Sequence, residues 1–283
     1  MSVKLVTDST SYLPKEYLKE YDISLVSLNV LLNNKSLREV DISNEDFYKE
    51  MELSKDLPKS SQPGIDELTE CFRKIANEGN DIVGVFISSK MSGTYSTAHL
   101  VKEIILEEYK DIKIEIIDST SNCMQMGFQV LQGARAARDG KNISEVTEVI
   151  NNVIDRSKFI FTPDNLRYLK KGGRIGGASA LFGSILKINP ILTVENGETT
   201  VLDKVRTKKR AVEAIVNKVM ADAKEKGIEE IIVHHINCID EGITLANLLS
   251  NKLNLEVKIQ PIGPIIGLHV GPLSIGVAYY TKK

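Results

Sequence analysis

Apolar runs of strand length alternate with longer amphipathic stretches along most of this chain, and that alternation limits the fold more than any other feature. VKLVT (3–7), DISLVSLNVLL (22–32), DIVGVFIS (81–88), IKIEIID (112–118), FIFT (159–162), EEIIVHH (229–235), EVKIQPI (256–262) and SIGVAYY (274–280) predict strands. Between them, ELTECFRKIANEG (67–79), STAHLVKEIILEEY (96–109), ISEVTEVINNVIDRS (143–157) and KKRAVEAIVNKVMADAKEKG (208–227) predict helices. The last ends in a glycine, suited to the position just past a helix C-terminus. Such alternation predicts an α/β protein with substantial parallel sheet. The texture changes near Thr162-Pro163, where a Gly-rich stretch, a charged helix and a strand-rich end begin. Two α/β domains are therefore expected, 1–157 and 158–283.

Several function classes drop out on composition. The 283 residues carry a formal net charge of -2, so no basic excess drives binding to nucleic acid. No apolar run approaches the roughly 20 residues of a membrane helix. The opening MSVKLVTDST has no extended apolar segment, which predicts no signal peptide and a cytoplasmic site. Cys71, Cys123 and Cys238 are far apart and form no C-x-x-C. His99, His234, His235 and His269 are equally scattered, and the adjacent pair on a strand would point to opposite faces. Neither a disulfide framework nor a metal site is expected.

Hydroxyls crowd the stretch GVFISSKMSGTYSTA (84–98), just where a strand stops. KLVTDST (4–10) and EIIDSTS (115–121) likewise run from a strand into Asp-Ser-Thr. Helix capping accounts for such residues, yet ligands also gather at the carboxyl ends of parallel strands. KSSQPG (59–64) adds two serines before a proline that holds Gln62 extended or turned. LKKGGRIGGASALFGSIL (169–186) meets neither phosphate-loop pattern, since Lys171 stands where a dinucleotide fingerprint needs its first Gly. Its small, apolar part ASALFGSIL (178–186) is expected to form a mobile cover over an apolar ligand. There is no G-x-S-x-G elbow. A hydrolase or phosphatase using Ser92 stays open as an alternative, because triads assemble in space. PIGPIIGLHVGPLSIG (261–276) sets His269 among aliphatic residues, as a satisfied core histidine or a functional one. Neutral hydroxyls, one imidazole and aliphatic lining, with no conspicuous cluster of acids, suit a carboxylate on an apolar tail. A neutral donor satisfies that anion without burying a second charge.

The ordered set V-T-D-S-T (6–10), S-S-Q-P (60–63), S-G-T-Y (92–95), I-D-S (117–119), L-x-x-L-K-K-G-G-R-I (166–175), K-V-R-T (204–207) and G-P-I-I-G-L-H-V-G-P (263–272) resembles the DegV family over essentially the whole chain. The resemblance implies a two-domain α/β protein holding one long-chain fatty acid in a buried tunnel between the domains. It implies a lipid-binding protein without a catalytic centre or cofactor, touching membrane surfaces transiently. A separate ATP-dependent fatty acid kinase would phosphorylate the bound carboxylate, or the protein would serve as a lipid carrier alone. Carried across residue by residue, the carboxylate-binding positions fall on Ser60, Ser61, Ser92, Gly93, Thr94 and His269. Arg174, in G-G-R-I, is expected near the site. Arg206, in a cationic cluster with Lys204, Lys208, Lys209 and Arg210, is expected to face the kinase. Ser60 replaces the commoner Thr and keeps its hydroxyl. Leu273 stands where a Gly usually follows G-P, which leaves the tunnel end open.

Overall fold

A computed structural model describes residues 2–54, 56–181 and 188–283. In chain order the first part holds β1 (Val3–Asp8), α1 (Lys15–Glu20), β2 (Ser24–Val26), β3 (Asn29–Leu32), β4 (Lys35–Arg38), α2 (Asn44–Leu53), β5 (Lys59–Ser61), α3 (Ile65–Asn77), β6 (Asp81–Phe86), α4 (Thr94–Glu108), β7 (Ile114–Asp118), α5 (Cys123–Arg138) and α6 (Ile143–Arg156). There follow β8 (Ser157–Thr162), α7 (Arg167–Lys171), β9 (Asn189–Glu195), β10 (Glu198–Val205), α8 (Lys208–Lys226), β11 (Ile228–Ile236), α9 (Ile239–Leu253), β12 (Lys258–Pro261), α10 (Pro264–Val270) and β13 (Ser274–Thr281). The α/β class read from the sequence is the class observed.

Four parallel strands make the first sheet, in the order β2-β1-β6-β7. VKLVTD and DIVGVF are buried along almost their whole length, as strands covered on both faces must be. Because β1 is flanked by β2 on one side and β6 on the other, the carboxyl ends of β1 and β6 form a switch point, where ligands bind in open α/β sheets. Asp8 stitches that point together: its carboxylate accepts the Ile87 amide at 2.8 Å and the Thr10 amide at 2.9 Å.

The run 22–32 is not one strand. β2 joins the parallel sheet, whereas β3 turns away into an antiparallel sheet ordered β4-β3-β5. Side chains impose the break. Ser27 N–H donates to Glu67 at 3.0 Å, and Leu28 N–H donates to the Ser9 hydroxyl at 3.1 Å.

Six strands form the third sheet, in the order β10-β9-β8-β13-β11-β12. It is antiparallel except between β11 and β12, so the substantial parallel sheet expected from the sequence is found chiefly in the first sheet. Helix α5 lies between the halves, packed on β1 and β6 and also on β8 and β13. It is buried nearly all round, and its interior glutamines Gln125 and Gln129 donate to the Ser157 and Ser119 carbonyls.

Two polar contacts fix the edges of the region between the sheets. The β9–β10 hairpin turns at Asn196-Gly197, both with positive φ (50° and 83°). Its tip reaches the turn after β6: the Ser88 hydroxyl donates to the Gly197 carbonyl at 2.8 Å, and Lys90 pairs with Glu198 at 3.2 Å. On the other side, buried Glu39 receives the Tyr12 hydroxyl and the Ile265 amide, each at 2.8 Å, and so holds the start of α10. Leu273 adopts φ 61° and is 45% exposed, on the surface rather than on a cavity wall.

Candidate functional site

At the switch point the loops of the first sheet face β8 and β9 across a cavity of about 340 Å³, within the roughly 300–1,000 Å³ of small-molecule sites. One end is polar. Ser60 and Ser61 reach it from β5, Ser92 and Gly93 from the turn before α4, His269 from α10 and Arg174 from the turn after α7.

Ser60 pairs across the sheet with Val30, which is fully buried, so its hydroxyl is turned inward. It lies 2.9 Å from His269 Nε2. His269 is 9% exposed, and its Nδ1 has no hydrogen-bond partner. Burial, with the Arg174 charge in support, pushes this imidazole down to about 4, so it is neutral at physiological pH. With its proton on Nε2 it donates to the Ser60 oxygen, and the Ser60 hydrogen is then free to point into the cavity.

Ser92 sits in a tight turn: the Met91 and Ser92 amides both donate to the Ser88 carbonyl, at 2.9 and 3.1 Å. Its hydroxyl lies 2.9 Å from that of Thr94. Thr94 is fully buried and absent from the cavity wall. Of the expected carboxylate-binding residues it is therefore the one whose hydroxyl meets the cavity through another side chain, that of Ser92. Gly93 caps α4, whose first turn carries no acidic residue and whose Thr94 amide donates to Ser92 Oγ at 3.3 Å, and the positive end of the helix favours an anion. A Cβ at Gly93 would come 2.2 Å from Gln62 Oε1, which explains the glycine. Arg174 donates to the Met91 carbonyl at 3.0 Å and the Gly172 carbonyl at 2.7 Å, tying the GGR turn to the Ser92 turn.

The rest of the wall is apolar: Leu28, Ile87, Leu169, Val194, Ile265, Ile266 and Val270, with Phe159 and Phe161. Gln62, Met91, Asn122 and Thr199 also line it and were not singled out in the sequence. The alternating Phe159 and Phe161 in FIFT were a legible signal of one strand face. Arg206 is not brought to the site. It follows β10, at the opposite end of that strand from Thr199, and its carbonyl accepts from Asn189 at 3.2 Å. Of the expected cover, residues 182–186 lie outside the described residues, while 176–181 form a 3-10 stretch beside β10. Among the described residues no His, Cys, Asp or Glu group is placed to hold a metal, and no helix is long and apolar enough to cross a membrane.

Gly172 tests the imidazole's position. Its φ of -76° suits any residue, yet a Cβ there would lie 2.1 Å from His269 Nδ1. Gly172→Ala should push the ring off Ser60 and weaken binding of a carboxylate ligand roughly tenfold, the worth of one charge-assisted hydrogen bond. Titration with a fluorescent fatty acid measures this, and an affinity equal to wild type would refute it.

A family model described as "Uncharacterised protein, DegV family" matches residues 2–282. A DegV domain-containing protein of Clostridium acetobutylicum is 53% identical over 283 residues, covering 100% of this chain and 99% of its own. A solved DegV family protein from Thermus thermophilus, described by its fatty acid binding, has a TM-score of 0.90 at 26% identity, with 99% of this chain and 100% of that one covered. A stearic acid-binding protein from Eubacterium ventriosum has a TM-score of 0.89 at 26% identity, covering 99% and 98%.

Proposed function

We propose, because the chain belongs to the DegV family, that it binds one long-chain fatty acid in this cavity. The carboxylate is held by the hydroxyls of Ser60, oriented by His269, of Ser61 and of Ser92, backed by Thr94, and by the positive end of α4 at Gly93. One observation carries the reading: serine hydroxyls, a neutral imidazole and Arg174 line the same cavity as many aliphatic and aromatic side chains, with no Asp or Glu among the described lining residues. An acyl tail supplies the affinity. At ~0.8 kcal/mol per buried methylene, some ~14 methylenes contribute on the order of 11 kcal/mol before ordering costs. Such a ligand survives purification, so mass spectrometry of an organic extract should find a fatty acid at close to one per chain. No fatty acid, with ester or phosphate turnover lost in Ser92→Ala, would overturn the reading in favour of a hydrolase. Geometry gives that alternative no specific support, since the imidazole sits on Ser60 and Ser92 pairs with Thr94.

The bound acid is presented to a separate ATP-dependent kinase, with Arg174 beside the carboxylate, and is loaded in transient contact with a membrane surface. The cations around Arg206 lie on the exposed far side of the β9–β10 hairpin, where they can steer an acidic partner. Charge reversal at Arg206 and Lys209 should slow acyl-phosphate formation most at low salt and leave lipid content unchanged. Wild-type rates across a salt series, in a coupled kinase assay, would remove Arg206 from the kinase-facing surface.

A further inference from the structure

Phe159 and Phe161 project from one face of β8 and stack, with ring centroids 5.0 Å apart and planes 19° apart. On one side they line the apolar part of the main cavity. On the other they close a separate void of about 10 Å³, bounded by Ile236, Ile262 and Gly276. A void of that size is at the lower limit for a single water, and its lining is apolar. The ring pair, with Val270, is thus common to the walls of both spaces.

Gly276 sets how far the rings can settle. It pairs with Phe161 across β13 and β8. A Cβ at Gly276 would lie 2.7 Å from Phe161 Cβ and 3.0 Å from Phe159 Cε2. The rings occupy room that any larger residue would take. Phe159 also meets the edge of the buried His234 ring at 5.6 Å, which limits its swing.

We propose that the Phe159–Phe161 pair is the depth stop that fixes the longest acyl chain this protein accepts. The proposal rests on the fatty-acid reading above. With the carboxylate at Ser60 and Ser92, the tail runs along the apolar wall and its terminal methyl meets the rings. A packed interior yields poorly to an added methylene, whereas each one that finds room tightens binding about fourfold. The void behind the rings is the space a shortened side chain would release.

The test is a competition series of saturated acids from laurate to arachidate, displacing a fluorescent fatty acid from wild type, Phe161→Ala, Phe161→Leu and Phe159→Leu. Wild type should show an affinity maximum and a fall beyond it. Phe161→Ala should move the maximum to longer acids, gaining about fifteenfold for every two methylenes newly accommodated. The two leucine variants conserve most of the packing and should shift it less, in the same direction, should the alanine variant fail to fold. Shorter acids should bind all variants much as wild type. A maximum that stays at the same acid in variants retaining wild-type affinity for shorter acids would overturn the depth stop alone. No binding of any acid by wild type would instead overturn the fatty-acid reading on which it rests.

Discussion

Replacing Ser60 and Ser92 together by alanine is expected to weaken fatty-acid binding by about 2–6 kcal/mol, or from about thirtyfold to more than ten-thousandfold. Each hydroxyl removed strips one donor from an anion that water no longer reaches, and each such loss costs about 1–3 kcal/mol. The two serines come from different elements, β5 and the turn before α4, on the same wall. Because they share one carboxylate, the double variant should depart from simple additivity. The fold should survive. Ser60 is bonded to an imidazole, and Ser92 to the Thr94 hydroxyl and, at 3.3 Å, to the Thr94 amide at the start of α4, so the loss is confined to one turn. Fluorescent displacement gives the affinity, and thermal melting with and without palmitate gives a second readout, since a ligand of the native state raises the melting temperature. A palmitate-induced rise as large as in wild type would refute the head-group assignment.

Acidification from pH 7 to 4 is expected to cost the lipid-free protein a large part of its stability. His234 has both nitrogens committed in the neutral form: Nε2 accepts the Met124 amide at 3.1 Å, and Nδ1 lies 2.9 Å from the Gln260 carbonyl. Burial is the main cause that pushes it down to about 4, as it does His269. Both folded values lie below the ordinary 6.5, so the stability these groups contribute is complete above 6.5 and lost as pH falls through 4. A gap of that size is worth on the order of 3 kcal/mol for each histidine. Glu39 acts in the opposite sense. Burial pushes it up to about 7, so its contribution is complete below 4.5 and lost as pH rises through 7. That offsets roughly one histidine, leaving a net acid loss of about 3 kcal/mol against a typical total of about 5–15. Urea unfolding at pH 7.5 and 4.5 measures it. His269→Gln, which keeps a donor near Ser60, should lose less than wild type, and equal midpoints at the two pH values would end the idea.

The parallel half was legible in the sequence because buried parallel strands read as unbroken apolar runs, as VKLVTD and DIVGVF do. Other elements were hidden for identifiable reasons. Helix α5, CMQMGFQVLQGARAAR, buries nearly every side, Gln125 and Gln129 included, so its polar positions do not mark a solvent face. The break in 22–32 depends on Glu67 and Ser9, residues distant in sequence that take the strand's own amides. The β9–β10 hairpin carried a local signal, Asn196-Gly197 between apolar runs, that the sequence reading did not use. At the site, the motifs singled out Ser60, Ser61, Ser92 and His269, which all line the cavity. They did not show that Thr94 lies off that wall, because only the packed turn decides which hydroxyl faces the cavity. Arg206 stood out by its charge, and charge does not place a residue: it lies at the far end of β10 from the cavity-lining Thr199.

Ser88 joins two jobs through one residue. Its carbonyl anchors the Met91 and Ser92 amides, while its hydroxyl anchors the tip of the β9–β10 hairpin. A displacement of that hairpin would remove the acceptor for the hydroxyl and slacken the turn that aims Ser92. A lipid entering or leaving beneath it would meet a head-group site that forms as the hairpin seats and loosens as it lifts, so the joint is expected to set residence time rather than equilibrium affinity. Ser88→Ala should speed exchange in both directions in stopped-flow mixing, with a nearly constant ratio of rates, and a change confined to the off-rate would show that the two jobs are separate.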